Sequence, residues 1–106
     1  MNFSKVKVEV LLPEEYIEPL RNKLNNRDVL TIGEYDHVVS YSHVNGYWRP
    51  KKDAKPFNGE VGKVSFGTEC KMEFRCPYTD IEEVKKVILS IHPYEEPIIN
   101  VLPLLD

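Results

Sequence analysis

The chain has 106 residues, a formal net charge of -3, 42% hydrophobic and 29% charged side chains, and this bounds it to one domain, residues 1–106. At that size roughly two-thirds of the unfolded surface can be buried, so a core forms without disulfides or structural metal. The acidic balance excludes general affinity for nucleic acid, which needs lysine and arginine gathered on one surface.

Lys51, Lys52 and Lys55 are interrupted by Asp53 and read as a solvated loop. No apolar run approaches the roughly 20 residues that span a bilayer. Met1–Lys5 lacks the basic-then-apolar order of a secretory signal, so the expected compartment is the cytoplasm. Cys70 and Cys76 fall on what reads as one strand, about 20 Å apart. That exceeds the roughly 7 Å between Cα atoms that a disulfide tolerates, so both are expected to be buried and reduced.

In chain order, Lys5–Leu12 alternates with Val6, Val8 and Val10 on one side and predicts a half-buried strand. Pro13-Glu14-Glu15 opens a helix, its acids suited to the positive end of the helix dipole. Tyr16, Ile17, Leu20 and Leu24 form its apolar stripe. Pro19 demands either a start near Tyr16 or an irregular first turn. Residues rich in β-branched and aromatic side chains then predict a second strand from about Thr31 to His43. Its parity sets Tyr35, His37, Val39 and Tyr41 opposite Ile32 and Val38, unless Gly33 introduces a bulge. Val44–Phe66 holds three glycines, two prolines and several aromatics, and predicts a long ordered excursion docked on its own domain or on a neighbour. Thr68–Cys76 is a strand with Cys70, Met72, Phe74 and Cys76 inward. Thr79 or Asp80 is expected to cap a helix, as an approximate capping box, with Ile81, Val84, Val87, Ile88 and Ile91 buried. Pro93 ends it, and Ile98–Leu104 is the last strand. This order is the α+β, ferredoxin-like βαββαβ arrangement: a four-stranded antiparallel sheet with two helices on one face and a long ordered excursion after strand 2.

Two clusters carry chemistry. In His92-Pro93-Tyr94-Glu95-Glu96-Pro97, two prolines brace an imidazole and two carboxylates, the low-entropy donors that a metal or a proton relay needs. Tyr35-Asp36-His37 supplies a second set, and the two are expected to fold side by side. His37, His92, Glu95 and Glu96 are then candidate metal ligands, with Tyr35, Asp36 and Tyr94 lining the site. The competing reading is a rigid turn whose His and Glu satisfy backbone groups. His43 reads as a surface or interface residue. Tyr47, Trp48, Arg49 and Phe57 have the composition of an interface hot spot. No phosphate-binding glycine loop, zinc-type cysteine pair or nucleophile elbow is present. A metal-assisted hydrolase using Glu95 or Glu96 as base is the least favoured reading, because no nucleophile, oxyanion donors or complete ligand set is visible.

Four blocks occur in order: Ile32-Gly33-Glu34-Tyr35-Asp36-His37, Gly46-Tyr47-Trp48-Arg49-Pro50, Ala54–Gly62 and His92–Pro97. They resemble the YqfO-type domain, which in longer members is inserted into dinuclear-metal, NGG-interacting-factor-like proteins and also exists alone. The similarity covers nearly the whole chain. The resemblance implies a fold related to the CutA divalent-cation-tolerance and PII signalling proteins, both trimeric. The dinuclear site of the longer proteins lies in a main domain absent here, so its ligands do not carry over. The position after His37, often cysteine in the pattern, is Val38, which removes a thiol from that cluster. The expected function is a small non-catalytic binding module of regulatory or divalent-metal-handling type, a homo-oligomer with a trimer favoured. A structural or protein-interaction domain with a protein partner is the alternative. No nucleic acid or membrane partner is expected.

Overall fold

The computed structural model describes residues 2–105, and they form a four-stranded antiparallel sheet with the strand order β2-β3-β1-β4. The strands are β1 (Lys5–Leu12), β2 (Ser40–Trp48), β3 (Ser65–Pro77) and β4 (Ile99–Leu104), and the helices are α1 (Ile17–Asn25) and α2 (Ile81–Ile91). This is the expected ferredoxin-like arrangement.

Alternation drives the packing. Val6, Val8, Val10 and Leu12 of β1 meet Cys70, Met72, Phe74 and Cys76 of β3 beneath Ile17, Leu20 and Leu24 of α1 and Ile81, Val84, Val87 and Ile88 of α2, all buried. A fully buried aliphatic side chain contributes about 2 kcal/mol, so this stripe-on-sheet contact fixes register as well as stability. Both cysteines are unpaired and buried, as their spacing requires. Val29 and Leu30, just past α1, also plug the core.

Pro19 is accommodated by the irregular first turn: Glu14–Tyr16 is a single 3-10 turn, and α1 begins at Ile17. Pro19 then lies within the first helical turn, where an N–H has no intrahelical partner to lose.

Three expectations are corrected. The second strand begins at Ser40, not near Thr31, and runs on to Trp48. Gly33 (φ 58°) and His37 (φ 57°) adopt left-handed backbone, so the preceding residues turn instead of extending. Ile32 and Tyr35 close that turn with reciprocal N–H···O bonds of 2.8 and 3.0 Å. The excursion therefore shortens to Arg49–Val64, and Tyr47 and Trp48 belong to a strand. Finally, neither Thr79 nor Asp80 makes the expected side-chain cap; a 3-10 turn, Tyr78–Asp80, leads into α2 and no side-chain cap bond forms at Asp80. Replacing Asp80 by Ala is thus expected to change thermal stability by less than about 0.5 kcal/mol, whereas a true cap would cost about 1 kcal/mol.

One feature positions the site. Residues 65–69 of β3 have no partner in β1 and pair only with residues 44–48 of β2. This two-stranded arm projects past the sheet at the end where β1 stops, α2 finishes and β4 begins.

Candidate functional site

The turn after α2 lies at that same end. The His92 ring reaches the carbonyl of Leu11 with Nε2 at 2.6 Å, and its Nδ1 accepts the Tyr94 N–H at 3.2 Å. A carbonyl only accepts, so Nε2 carries the proton and the imidazole is neutral. Burial holds its pKa below the ordinary 6.5, against opposing pulls from the Leu11 bond and the charge of Glu69. With both nitrogens bonded to backbone, His92 locks the turn to β1. The tyrosine that follows donates its hydroxyl to Glu69 at 2.9 Å. Burial first, then that carboxylate, pushes the Tyr94 phenol far above its usual range. Glu95 accepts the backbone N–H of Lys55 at 2.9 Å, clipping the excursion onto the turn.

The excursion is ordered from within the chain. Trp48 donates its indole N–H to the carbonyl of Asn58 at 3.0 Å, and Gly62 donates to Pro50 at 2.8 Å. Gly59 is required: its φ is +103°, and a Cβ there would sit 2.7 Å from the Trp48 indole nitrogen. Phe57 lies edge-on to Tyr16 at 6.4 Å and 5.9 Å from Tyr94, whose ring lies 4.7 Å from His92.

Between arm, excursion and turn lies a groove of about 740 Å³, within the range of small-molecule sites. Trp48, Phe57 and Tyr94 give it aromatic walls, Arg49 and Lys51 a cationic side, and Glu69, Glu95 and Glu96 an anionic one. The four residues read as an interface hot spot, Tyr47, Trp48, Arg49 and Phe57, therefore face the same space as Tyr94, Glu95 and Glu96.

Tyr35, Asp36 and His37 are not part of it. The His37 N–H donates to the Asn25 side chain at 2.8 Å, at the last residue of α1. That helix starts at the groove end and runs away from it, so His37 and His92 mark opposite ends of the fold. The expected shared niche does not form. Asp36 and the His37 ring instead pair with each other at 2.9 Å, which holds the Asp36 carboxyl below its usual range. Tyr35 is exposed. Replacing Asn25 by Ala should cost about 1 kcal/mol by chemical denaturation, the worth of one hydrogen bond to a turn.

The four expected metal ligands are divided accordingly. His37 is remote, both nitrogens of His92 are engaged, and only Glu95 and Glu96 line the groove. Among the described residues one group of three metal-competent side chains does converge, Glu14, His43 and Cys70, and it shares no member with the expected set. Sequence reasoning missed it because His43 and Cys70 become neighbours only through the β2–β3 register.

No family model matches the sequence. Among curated proteins, the chain is 36% identical over 97 residues to the GTP cyclohydrolase 1 type 2 homolog of Bacillus subtilis, a match covering 92% of this chain and 26% of that protein. It is 32% identical over 94 residues to the homolog of Staphylococcus epidermidis, covering 89% of this chain and 26% of that one. Among solved structures, the Bacillus cereus protein related to NIF3 superposes with a TM-score of 0.82 at 27% identity, covering 98% of this chain and 26% of its own. CutA1 of the psychrotrophic Shewanella sp. SIB1 gives a TM-score of 0.75 at 14% identity, over 100% of this chain and 86% of that one, a likeness of fold alone. The chain spans about a quarter of the length of the curated relatives it matches. These matches bear out the resemblance to YqfO/NIF3 proteins over most of this chain, on a fold that CutA shares.

Proposed function

We propose that the chain is a small, non-catalytic binding module of regulatory or divalent-metal-handling type, and that its ligand enters the groove between the β2–β3 arm and the His92–Pro97 turn. One observation carries this reading: the turn, the excursion and the arm are pinned together by His92, Tyr94, Glu95 and Trp48 around an open space. A cavity framed by satisfied hydrogen bonds is preformed, so binding orders little and loses little entropy. The aromatic walls suit a planar molecule, Arg49 and Lys51 an anionic substituent, and the paired carboxylates amino groups or a divalent cation. Nucleotides fit that description, and the names of the curated relatives include GTP. Their full length is about four times the matched segment, so a cyclohydrolase activity is not transferred.

We further propose that the module is a homo-oligomer, a trimer being favoured. β2 and β4 are uncovered edges, and Ile98, Leu102 and Leu105 expose apolar surface along the β4 side. The two free thiols fit a reducing compartment, the cytoplasm. No helix among the described residues is long and apolar enough to cross a membrane.

Calorimetric titration of chelator-treated protein with GTP, ATP, zinc, copper and manganese tests the ligand role. Saturable heat with GTP or ATP that Arg49→Ala and Glu95→Gln weaken is expected; no heat with any of the five contradicts it. A protein-interaction domain is the second reading, favoured by Tyr47 and Phe66, whose rings lie 5.0 Å apart at a tilt of 37°, both exposed on the arm.

A further inference from the structure

A second polar convergence lies beside the groove and shares no lining residue with it. Cys70 is opposite His43 in the β2–β3 ladder and opposite Leu12 in the β1–β3 ladder. Pro13 then carries the chain over the end of the sheet, and the 3-10 turn brings Glu14 above the same spot. The His43 Nε2 lies 3.1 Å from a Glu14 carboxylate oxygen. The other oxygen receives the Tyr41 hydroxyl at 3.4 Å, and the Tyr41 ring stands edge-on to His43 at 5.9 Å. One donor atom each from Glu14, His43 and Cys70 lies within 4.8 Å of the other two.

We propose that Glu14, His43 and Cys70 form a mononuclear site for a borderline divalent transition metal, with Zn(II) the best match. Thiolate, imidazole and carboxylate together are soft enough for zinc and too few in oxygen for calcium or magnesium. Tetrahedral zinc wants donor atoms about 3.5 Å apart, given bond lengths near 2.0–2.3 Å. The site reaches that spacing by small rotations of Glu14 and His43, both solvent-exposed. Three protein donors leave a fourth position for water or a further ligand. Cys70 forms the floor. Without a cation its thiol stays protonated, since burial, Glu14 and Glu69 all push its pKa up. Zinc replaces that proton: the Cys70 S–H bond breaks, the S–Zn bond forms, and the proton leaves to solvent, so affinity rises with pH. The 3.1 Å contact between Glu14 and His43 is then the resting arrangement of two ligands that the metal separates.

The site stands apart from the groove, and the variants keep the two distinct. The full chain, freed of metal with a chelator, is titrated with Zn(II) by calorimetry and with Co(II) by absorption. The expected result is one equivalent per chain and a thiolate-to-cobalt charge-transfer band in the near ultraviolet. His43→Gln and Glu14→Gln each weaken zinc binding by more than about a hundredfold, exceeding the loss of an outer-shell partner. Cys70→Ala abolishes the band, while Arg49→Ala and Glu95→Gln leave zinc affinity unchanged. A cobalt complex without the thiolate band, or zinc affinity that survives both His43→Gln and Glu14→Gln, overturns the proposal. Those two exposed substitutions decide the matter even where the buried Cys70→Ala variant does not fold. Loss of metal binding in Glu95→Gln alone would assign the cation to the groove and overturn this site.

Discussion

Gly59→Ala is expected to destabilise the protein by about 2 kcal/mol and to open the groove. The new Cβ would stand 2.7 Å from the Trp48 indole nitrogen and 3.0 Å from the Ser65 hydroxyl, on backbone at φ +103°. Strained backbone of this kind costs about 1–3 kcal/mol in a side-chain-bearing residue, and the displaced indole also loses its bond to Asn58, worth about 1 kcal/mol. For a domain of this size that lowers the melting temperature by about 10 °C. Trp48 is the chain's one tryptophan, so its fluorescence reports on the clamp directly. A red-shifted emission should accompany the loss of stability. An unshifted emission with unchanged melting would mean that Trp48 does not hold the excursion.

His92→Ala is expected to have an effect of similar size, about 2–3 kcal/mol, because it strands the Leu11 carbonyl and the Tyr94 N–H in a partly buried turn. The wild-type residue also makes stability depend on pH, with a definite sign. Its folded-state pKa lies below the ordinary 6.5, burial being the main cause. Between the two values the unfolded chain binds more protons, so stability rises with pH. The contribution is complete above about pH 6.5 and is lost as pH falls through the lower, folded-state value. Protonation puts a hydrogen on Nδ1, against the Tyr94 N–H. The Asp36 and Glu73 carboxyls, held low by His37 and Lys7 respectively, lose their contributions only in stronger acid. Urea midpoints between pH 7.5 and 5 should therefore fall for the wild type more than for His92→Gln. Parallel curves would show that His92 is not buried as a neutral base.

The fold was legible because its signals are local. Alternation in β1 and β3 and the stripe of α2 depend only on neighbours a few residues away, and Pro77 and Pro93 punctuate them. β2 misled for a physical reason: Thr31–Val39 has the composition of a strand, but composition does not reveal that Gly33 and His37 take positive φ. Shifting the strand start to Ser40 detached His37 from the expected site and brought His43 opposite Cys70. The groove was half legible. Both of its halves, the proline-braced turn and the aromatic segment around Trp48, stood out as residue clusters. That they face one another depends on contacts spanning the chain, such as His92 to Leu11 and Tyr94 to Glu69, which no local pattern encodes. The Glu14–His43–Cys70 convergence was illegible for the same reason, since each member has an ordinary role in its own element.

Amide chemical-shift mapping of isotope-labelled, chelator-treated protein against GTP, ATP and the divalent metals most directly tests the groove as a binding site. Perturbations concentrated on residues 47–58, 66–69 and 94–98, saturating with at least one of these probes, are predicted. A panel that leaves those amides unmoved, or that shifts only the 35–37 turn at the far end of α1, would contradict the account.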